Sequence, residues 1–129
     1  MEVNFLNIEE VKLIHFDQIR RYGGLDGLRD EKLLDSAINY PKVTFQNKFL
    51  HCDLYHMASA YMYALIKNHP FLDGNKRTGL TVALLFLRYN DISIEATDDE
   101  LFTITTKVAQ SKIKQEDIAI FFKQKSIKH

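Results

Sequence analysis

The sequence predicts an all-α fold: a single compact helical domain around one buried central helix, with a short flap or hairpin as its extended element. Three observations lead there. Apolar residues recur at helical spacing in one segment after another, and residues 78–87 (TGLTVALLFL) are apolar on most sides. No linker, internal repeat or low-complexity tract interrupts the chain, so residues 1–129 are read as one domain, long enough to bury its own core.

Over residues 8–22, Ile8, Val11, Ile14, Phe16 and Ile19 mark a broad apolar face, with Asn7 and Glu10 as N-cap and capping-box partner. Gly23-Gly24 ends that helix. Residues 23–30 (GGLDGLRD) read as an ordered turn region in which glycines permit positive φ and Leu25 and Leu28 anchor the loop. A short helix over 30–39 follows, and Pro41 stops it. Residues 42–50 (KVTFQNKFL) break the helical period: Val43 and Phe45 alternate with polar residues, the pattern of a short hairpin or an extended flap. The helical period returns over 52–68 through Leu54, Met57, Ala58, Tyr61, Leu65 and Ile66. It stops at His69, because Pro70 disfavours the right-handed helical conformation at the residue before it. The apolar helix spans 75 to about 89, with Asn90-Asp91 as its exit. Residues 92–95 are too few to assign. Thr97 and Glu100 form a capping box ahead of Leu101, Ile104, Val108 and Ala109, and a last helix covers 116–125.

Composition narrows the function. Seventeen basic and seventeen acidic residues cancel, which removes the bulk attraction that nucleic-acid binders show, so no nucleic-acid partner is expected. Cys52 is the only cysteine, which excludes an intramolecular disulfide and suits a reducing, cytoplasmic setting. The first ten residues lack the basic and apolar regions of a signal peptide, and no segment is long and apolar enough to span a bilayer, so no membrane partner is expected.

The chemistry concentrates in residues 69–77 (HPFLDGNKR), which hold a titratable base, a carboxylate, two cations and a glycine turn. These are the parts phosphoryl transfer needs: a base near the acceptor hydroxyl, a cation bridging phosphate oxygens, and donors that hold the transferring group. His69 is the candidate base, the one side chain of the segment that titrates near neutrality in its unperturbed state. Asp73 offers a hard oxygen to Mg²⁺. Gly74 lets the backbone turn close to a phosphate, and Asn75, Lys76 and Arg77 add side-chain donors to the partnerless N–H groups of the helix start. Pro70 sets the chain direction and Phe71 anchors the loop in the core. Each residue alone has an ordinary structural role, since a histidine caps helix ends and Asp-Gly-Asn turns chains. Two cations at the positive end of a helix dipole, however, cost a few tenths of a kcal/mol each, which an anionic ligand would offset. Elsewhere, Cys52 and His56 lie four apart on one helix face but no second ligand pair follows, so a structural role is expected for them. His15 and His129 have no partner pattern and are expected at the surface.

The nine residues from His69 to Arg77 resemble the signature of the Fic/Doc superfamily, and more narrowly that of its death-on-curing toxins, His-x-Phe-x-(Asp/Asn)-(Ala/Gly)-Asn-Lys-Arg. The likeness extends to residues 21–27 (RYGGLDG) and 84–88 (LLFLR). It implies His69 as catalytic base, Asp73 as Mg²⁺ ligand, Gly74 and Asn75 as the anion-binding turn, and Lys76 and Arg77 as phosphate-contacting cations. Most Fic enzymes transfer AMP and read His-Pro-Phe-x-x-Gly-Asn-Gly-Arg-x-x-Arg. This chain has Lys76 in place of the second glycine and Leu80 in place of the second arginine, as death-on-curing toxins do. Lysine there fills the space through which the polyphosphate would pass. The resemblance thus implies a reversed nucleotide, a kinase reaction from ATP on a Ser/Thr hydroxyl, and translation elongation factor Tu as target, with AMP transfer or a non-catalytic binding module as the alternatives. The self-inhibitory pattern (Ser/Thr)-x-x-x-Glu-(Gly/Asn) of many Fic proteins does not occur in the chain. Restraint would then fall to a separate antitoxin of a toxin–antitoxin pair, whose disordered C-terminal segment folds onto the toxin. Residues 42–50 lie where the family carries its target-holding flap.

Overall fold

The computed structural model describes residues 2–129. In chain order it contains α1 (Ile8–Tyr22), α2 (Glu31–Asn39), a 3-10 turn (Tyr40–Lys42), β1 (Thr44–Phe45), β2 (Lys48–Phe49), α3 (Leu54–Asn68), α4 (Asn75–Tyr89), β3 (Ile92–Ile94), α5 (Asp98–Ala109), α6 (Gln115–Gln124) and β4 (Ser126–Lys128).

Local chemistry sets the helix ends. Asn7 and Glu10 close a capping box on α1, and Thr97 and Glu100 close another on α5. Asp30 and Asp53 cap α2 and α3 by accepting the N–H of Leu33 and His56. Pro41 does not end helical geometry outright; it starts the 3-10 turn that follows α2, where its missing N–H is not needed.

The core forms around α3 and α4, which pack most extensively on each other, with α1, α2, α5 and α6 arranged outside them. Tyr61, Met57, Met62 and Leu65 of α3 and Phe86 and Leu87 of α4 are fully buried. The two helices approach closely at Gly79, where a Cβ would stand 3.0 Å from Ile66 Cγ1 and 3.2 Å from the Met62 carbonyl oxygen. Leu6 satisfies the buried Tyr61: the hydroxyl accepts the Leu6 N–H at 3.1 Å and donates to the Leu6 carbonyl at 3.2 Å. That pair ties the N-terminal segment to the middle of the core.

Three expectations change. The buried stripe of α1 is Val11, His15 and Ile19, while Phe16 is 49% exposed. Steps of four residues stay on one helical face, whereas Phe16 is rotated by a full residue step from His15. Leu25 is 69% exposed and does not anchor its loop. That loop is held by backbone pairing: the N–H groups of Arg29 and Asp30 donate to the Pro70 carbonyl at 2.7 and 3.0 Å, and Leu72 N–H donates to Gly27 at 3.0 Å. Within residues 92–95, Ile92–Ile94 form β3, which pairs antiparallel with β4 so that Ser93 faces Ile127. A three-residue strand shows no readable alternation, and its partner lies beyond two intervening helices.

Residues 42–50 do form the expected hairpin, with Thr44 opposite Phe49 and Phe45 opposite Lys48. Gln46 and Asn47, both at positive φ (52° and 63°), make its two-residue turn. Its tip projects Phe45, 69% exposed, away from the core.

Candidate active site

The segment from His69 to Arg77 links the C-terminus of α3 to the N-terminus of α4 and lines a cleft of about 1120 Å³. The end of α1 contributes Tyr22, Gly23 and Gly24, α4 adds Leu80, and α5 forms the opposite wall with Leu101, Phe102 and Thr105. The volume exceeds the roughly 300–1,000 Å³ of ordinary ligand pockets.

His69 caps α3 in the left-handed conformation (φ 51°, ψ 55°), which ends the helix ahead of Pro70, and its side chain is exposed to the cleft. Arg29 fixes it from behind, donating from Nε to the His69 carbonyl at 2.6 Å and from Nη2 to the Asn68 carbonyl at 2.8 Å. One guanidinium thereby satisfies two orphan carbonyls at a helix C-terminus, where positive charge is favoured. Sequence reasoning missed this residue, because an arginine in a turn carries no signal of its long-range acceptor.

Asp73 directs its carboxylate along the same cleft. Oδ1 accepts the Gly74 N–H at 2.9 Å and Oδ2 accepts the Leu25 N–H at 3.3 Å. These N–H groups, Gly74 first, then the positive charge of Arg77 and the neighbouring His69, hold the carboxyl below its ordinary range. It is a hard anionic oxygen donor at neutral pH, with lone pairs to spare, and fits Mg²⁺ as a one-carboxylate ligand beside phosphate and water. Gly24 (φ 116°) makes room for it: a Cβ there would stand 2.7 Å from Oδ2.

Gly74 (φ 77°) turns the chain into α4 with no side-chain cap, so the N–H groups of Asn75, Lys76 and Arg77 find no acceptor among the described residues. They belong to the turn that lines the cleft, and a helix start of this kind can receive an anion. Asn75 departs from expectation in one respect. Its carboxamide is 4% exposed and committed to Phe71, accepting the Phe71 N–H and donating to the Phe71 carbonyl, both at 3.0 Å. What Asn75 presents to an anion is therefore its backbone. Lys76 is exposed and lines the cleft without an ion-pair partner among the described residues. Arg77 donates from Nη2 to the Gly23 carbonyl at 2.8 Å and lies 5.5 Å from the Tyr22 ring centroid, which ties the end of α1 to the start of α4. Phe71 is 2% exposed, the core anchor its position suggested.

His15 overturns its surface assignment. It is 2% exposed, stacks flat on Phe71 with ring centroids 3.7 Å apart, and meets the Asp73 carbonyl with Nε2 at 2.8 Å. His129 is exposed, as expected.

The second histidine cluster has a structural role. Cys52, Asp53 and His56 bring ligand atoms within 4.8 Å of one another, but both His56 nitrogens are engaged by carboxylates: Nδ1 by Asp53 at 2.7 Å and Nε2 by Glu116 at 2.8 Å. Burial opposes the His56 charge, yet the two carboxylates outweigh it and raise the His56 pKa. A pKa raised on folding stabilises fully below the unfolded value near 6.5 and is lost as pH rises through the folded value. Unfolding free energy is accordingly expected to decline from about pH 6.5 upward through the folded His56 pKa, and His56→Gln to flatten that slope in urea titrations. An unchanged slope in the variant would contradict the clamp.

Fold and cleft together define a helical domain in which one loop and helix start present an imidazole, a carboxylate and backbone N–H groups without acceptors among the described residues to a single cavity. Residues 5–87 match the Fic/DOC family, and the chain belongs to it. It is 33% identical over 111 residues to the protein kinase Doc of Escherichia phage P1, covering 86% of each chain. It is 36% identical over 78 residues to the toxin Doc of Mycolicibacterium smegmatis, covering 60% of each. None of the described helices is long and apolar enough to cross a membrane.

Proposed function

We propose that the chain is a Doc-type toxin that transfers the γ-phosphate of ATP to a Ser/Thr hydroxyl of a protein, with translation elongation factor Tu as the expected target. The observation that carries this reading is the convergence of His69, Asp73, the free N–H groups of residues 75–77 and Lys76 on one cleft. Its likeness to a phage protein named as a kinase supports the choice of phosphate over AMP.

In the transfer, His69 takes the proton of the acceptor hydroxyl as its oxygen bonds to the γ-phosphorus, and the bond to the β,γ-bridging oxygen breaks to release ADP. The helix start and Lys76 hold the phosphoryl oxygens by charge-assisted hydrogen bonds. Mg²⁺, held by Asp73, would neutralise charge on the phosphates. Lys76 occupies the second position of α4, at the cleft, where the AMP-transferring pattern has a glycine, and this favours phosphate transfer. Partner control follows the same reading: an antitoxin whose disordered C-terminal segment folds over the toxin, in a cytoplasmic toxin–antitoxin pair.

The test is transfer of label to protein from ATP in a cytosolic extract. Label from the γ-position alone is expected, and an elongation factor Tu band should carry it. Label from the α-position alone would replace the kinase reading with AMP transfer.

A further inference from the structure

We infer that His15 is a positioning residue for Asp73: its imidazole fixes the peptide plane that aims the Asp73 carboxylate into the cleft for a divalent cation. The inference rests on Asp73 being the cation ligand.

The geometry is a chain of contacts through one rigid unit. The Asp73 carbonyl is 2.8 Å from His15 Nε2, and a carbonyl oxygen only accepts, so Nε2 carries the proton. That carbonyl belongs to the planar peptide whose N–H, on Gly74, donates to Asp73 Oδ1 at 2.9 Å. Fixing the oxygen end of the peptide therefore fixes its N–H end, and with it one carboxylate oxygen. The Leu25 N–H holds the other. His15 cannot swing away, because its ring lies on Phe71 with an interplanar angle of 5°, and the carboxamide of Asn75 clamps the Phe71 backbone on both sides. Nδ1 points toward Asp26 Oδ1 at 4.0 Å, beyond hydrogen-bond reach, so the bond to Asp73 is the one hydrogen bond the buried ring makes among the described residues.

Space-filling does not account for this placement. An aliphatic side chain would occupy the same site against Phe71 but leave the Asp73 carbonyl without its donor. Gly74, at φ 77°, offers little resistance to a flip of that peptide; the Asp73 carboxylate holds its N–H end from within the turn, and His15 holds its oxygen end from outside. His15 comes from α1, 58 positions away in the chain. It is the outer support that metal-binding carboxylates commonly need, and loss of such support costs about 10- to 100-fold in metal affinity or activity.

The experiment compares the parent with His15→Leu, His15→Gln and Asp73→Asn. Glutamine returns an N–H near the position of Nε2. Binding of the ATP analogue AMPPNP is measured calorimetrically with Mg²⁺ and with EDTA, alongside the Mg²⁺ concentration for half-maximal phosphorylation. His15→Leu is expected to leave metal-free binding unchanged, to lose most of the Mg²⁺-dependent gain in affinity, and to raise the Mg²⁺ requirement about 10- to 100-fold. His15→Gln should recover most of both. An unchanged Mg²⁺ dependence in His15→Leu, or a His15→Gln no better than His15→Leu, would overturn the inference. If His15→Leu fails to fold, His15→Gln decides alone, and Mg²⁺ dependence as weak as that of Asp73→Asn rejects it. Asp73→Asn separates the two readings: full Mg²⁺ dependence there removes Asp73 as the ligand, whatever His15 does.

Discussion

Replacing His69 by alanine is expected to lower protein phosphorylation from ATP by about 10²- to 10⁴-fold, the range over which a positioned general base acts. The reason is specific to this site. His69 is the one imidazole exposed in the cleft, and its neighbours there are a carboxylate committed to two N–H groups and two cations unsuited to accept a proton. The fold should survive, because what α3 needs from this residue is the backbone carbonyl that Arg29 holds. His69 is left-handed, however, and alanine tolerates that conformation poorly, so His69→Asn is the better-matched control. Both variants are expected to bind nucleotide as the parent does and to lose inhibition of growth on expression. A His69→Ala protein that still arrests growth would mean that toxicity comes from binding, and that the domain acts as a module without catalysis.

Much of this architecture is readable from local chemistry. Two capping boxes, the Asp30 and Asp53 caps and the break at His69-Pro70 place helix ends to within a residue or two, since each signal sits beside the end it marks. The nine-residue motif is legible for the same reason: its imidazole, carboxylate and glycine turn are contiguous. What escapes is everything decided across the chain. Arg29 reaches carbonyls 39 and 40 positions away, and His15 reaches one 58 positions away. β4 matters only once β3 is beside it. In each case the residue type permits several partners, and only the packed core selects one. Leu25 shows the converse: an apolar residue in a loop suggests an anchor, but backbone pairing between residues 27–30 and 70–72 already fixes the loop and leaves Leu25 free to face solvent. Asn75 lies between the two cases. Its place in the motif suggests a ligand contact, while its burial reassigns the side chain to support.

That reassignment carries a large consequence for stability. Asn75→Ala removes an acceptor and a donor from the Phe71 backbone at a position that water does not reach, since Phe71 and Asn75 are 2% and 4% exposed. Each of the two buried backbone groups left without a partner costs about 1–3 kcal/mol, so a loss of roughly 2–6 kcal/mol is expected. For a domain of this size that corresponds to a fall in melting temperature on the order of 10 °C. A purely ligand-contacting asparagine would behave in the opposite way, lowering nucleotide affinity while the melting temperature stayed put. Asn75→Asp distinguishes the two halves of the clamp. It keeps an acceptor for the Phe71 N–H but sets an acceptor-only carboxylate against the Phe71 carbonyl, and its negative charge at the start of α4 repels the phosphate the turn would hold. Asn75→Asp should therefore lose both stability and nucleotide affinity. In Asn75→Ala, nucleotide binding is expected to weaken only as the fold does, because the Asn75 N–H at the helix start remains. Scanning calorimetry of the unliganded proteins, paired with AMPPNP titration below the transition, checks both. A melting temperature within about 2 °C of the parent for Asn75→Ala would return the side chain to the ligand and remove it from the scaffold.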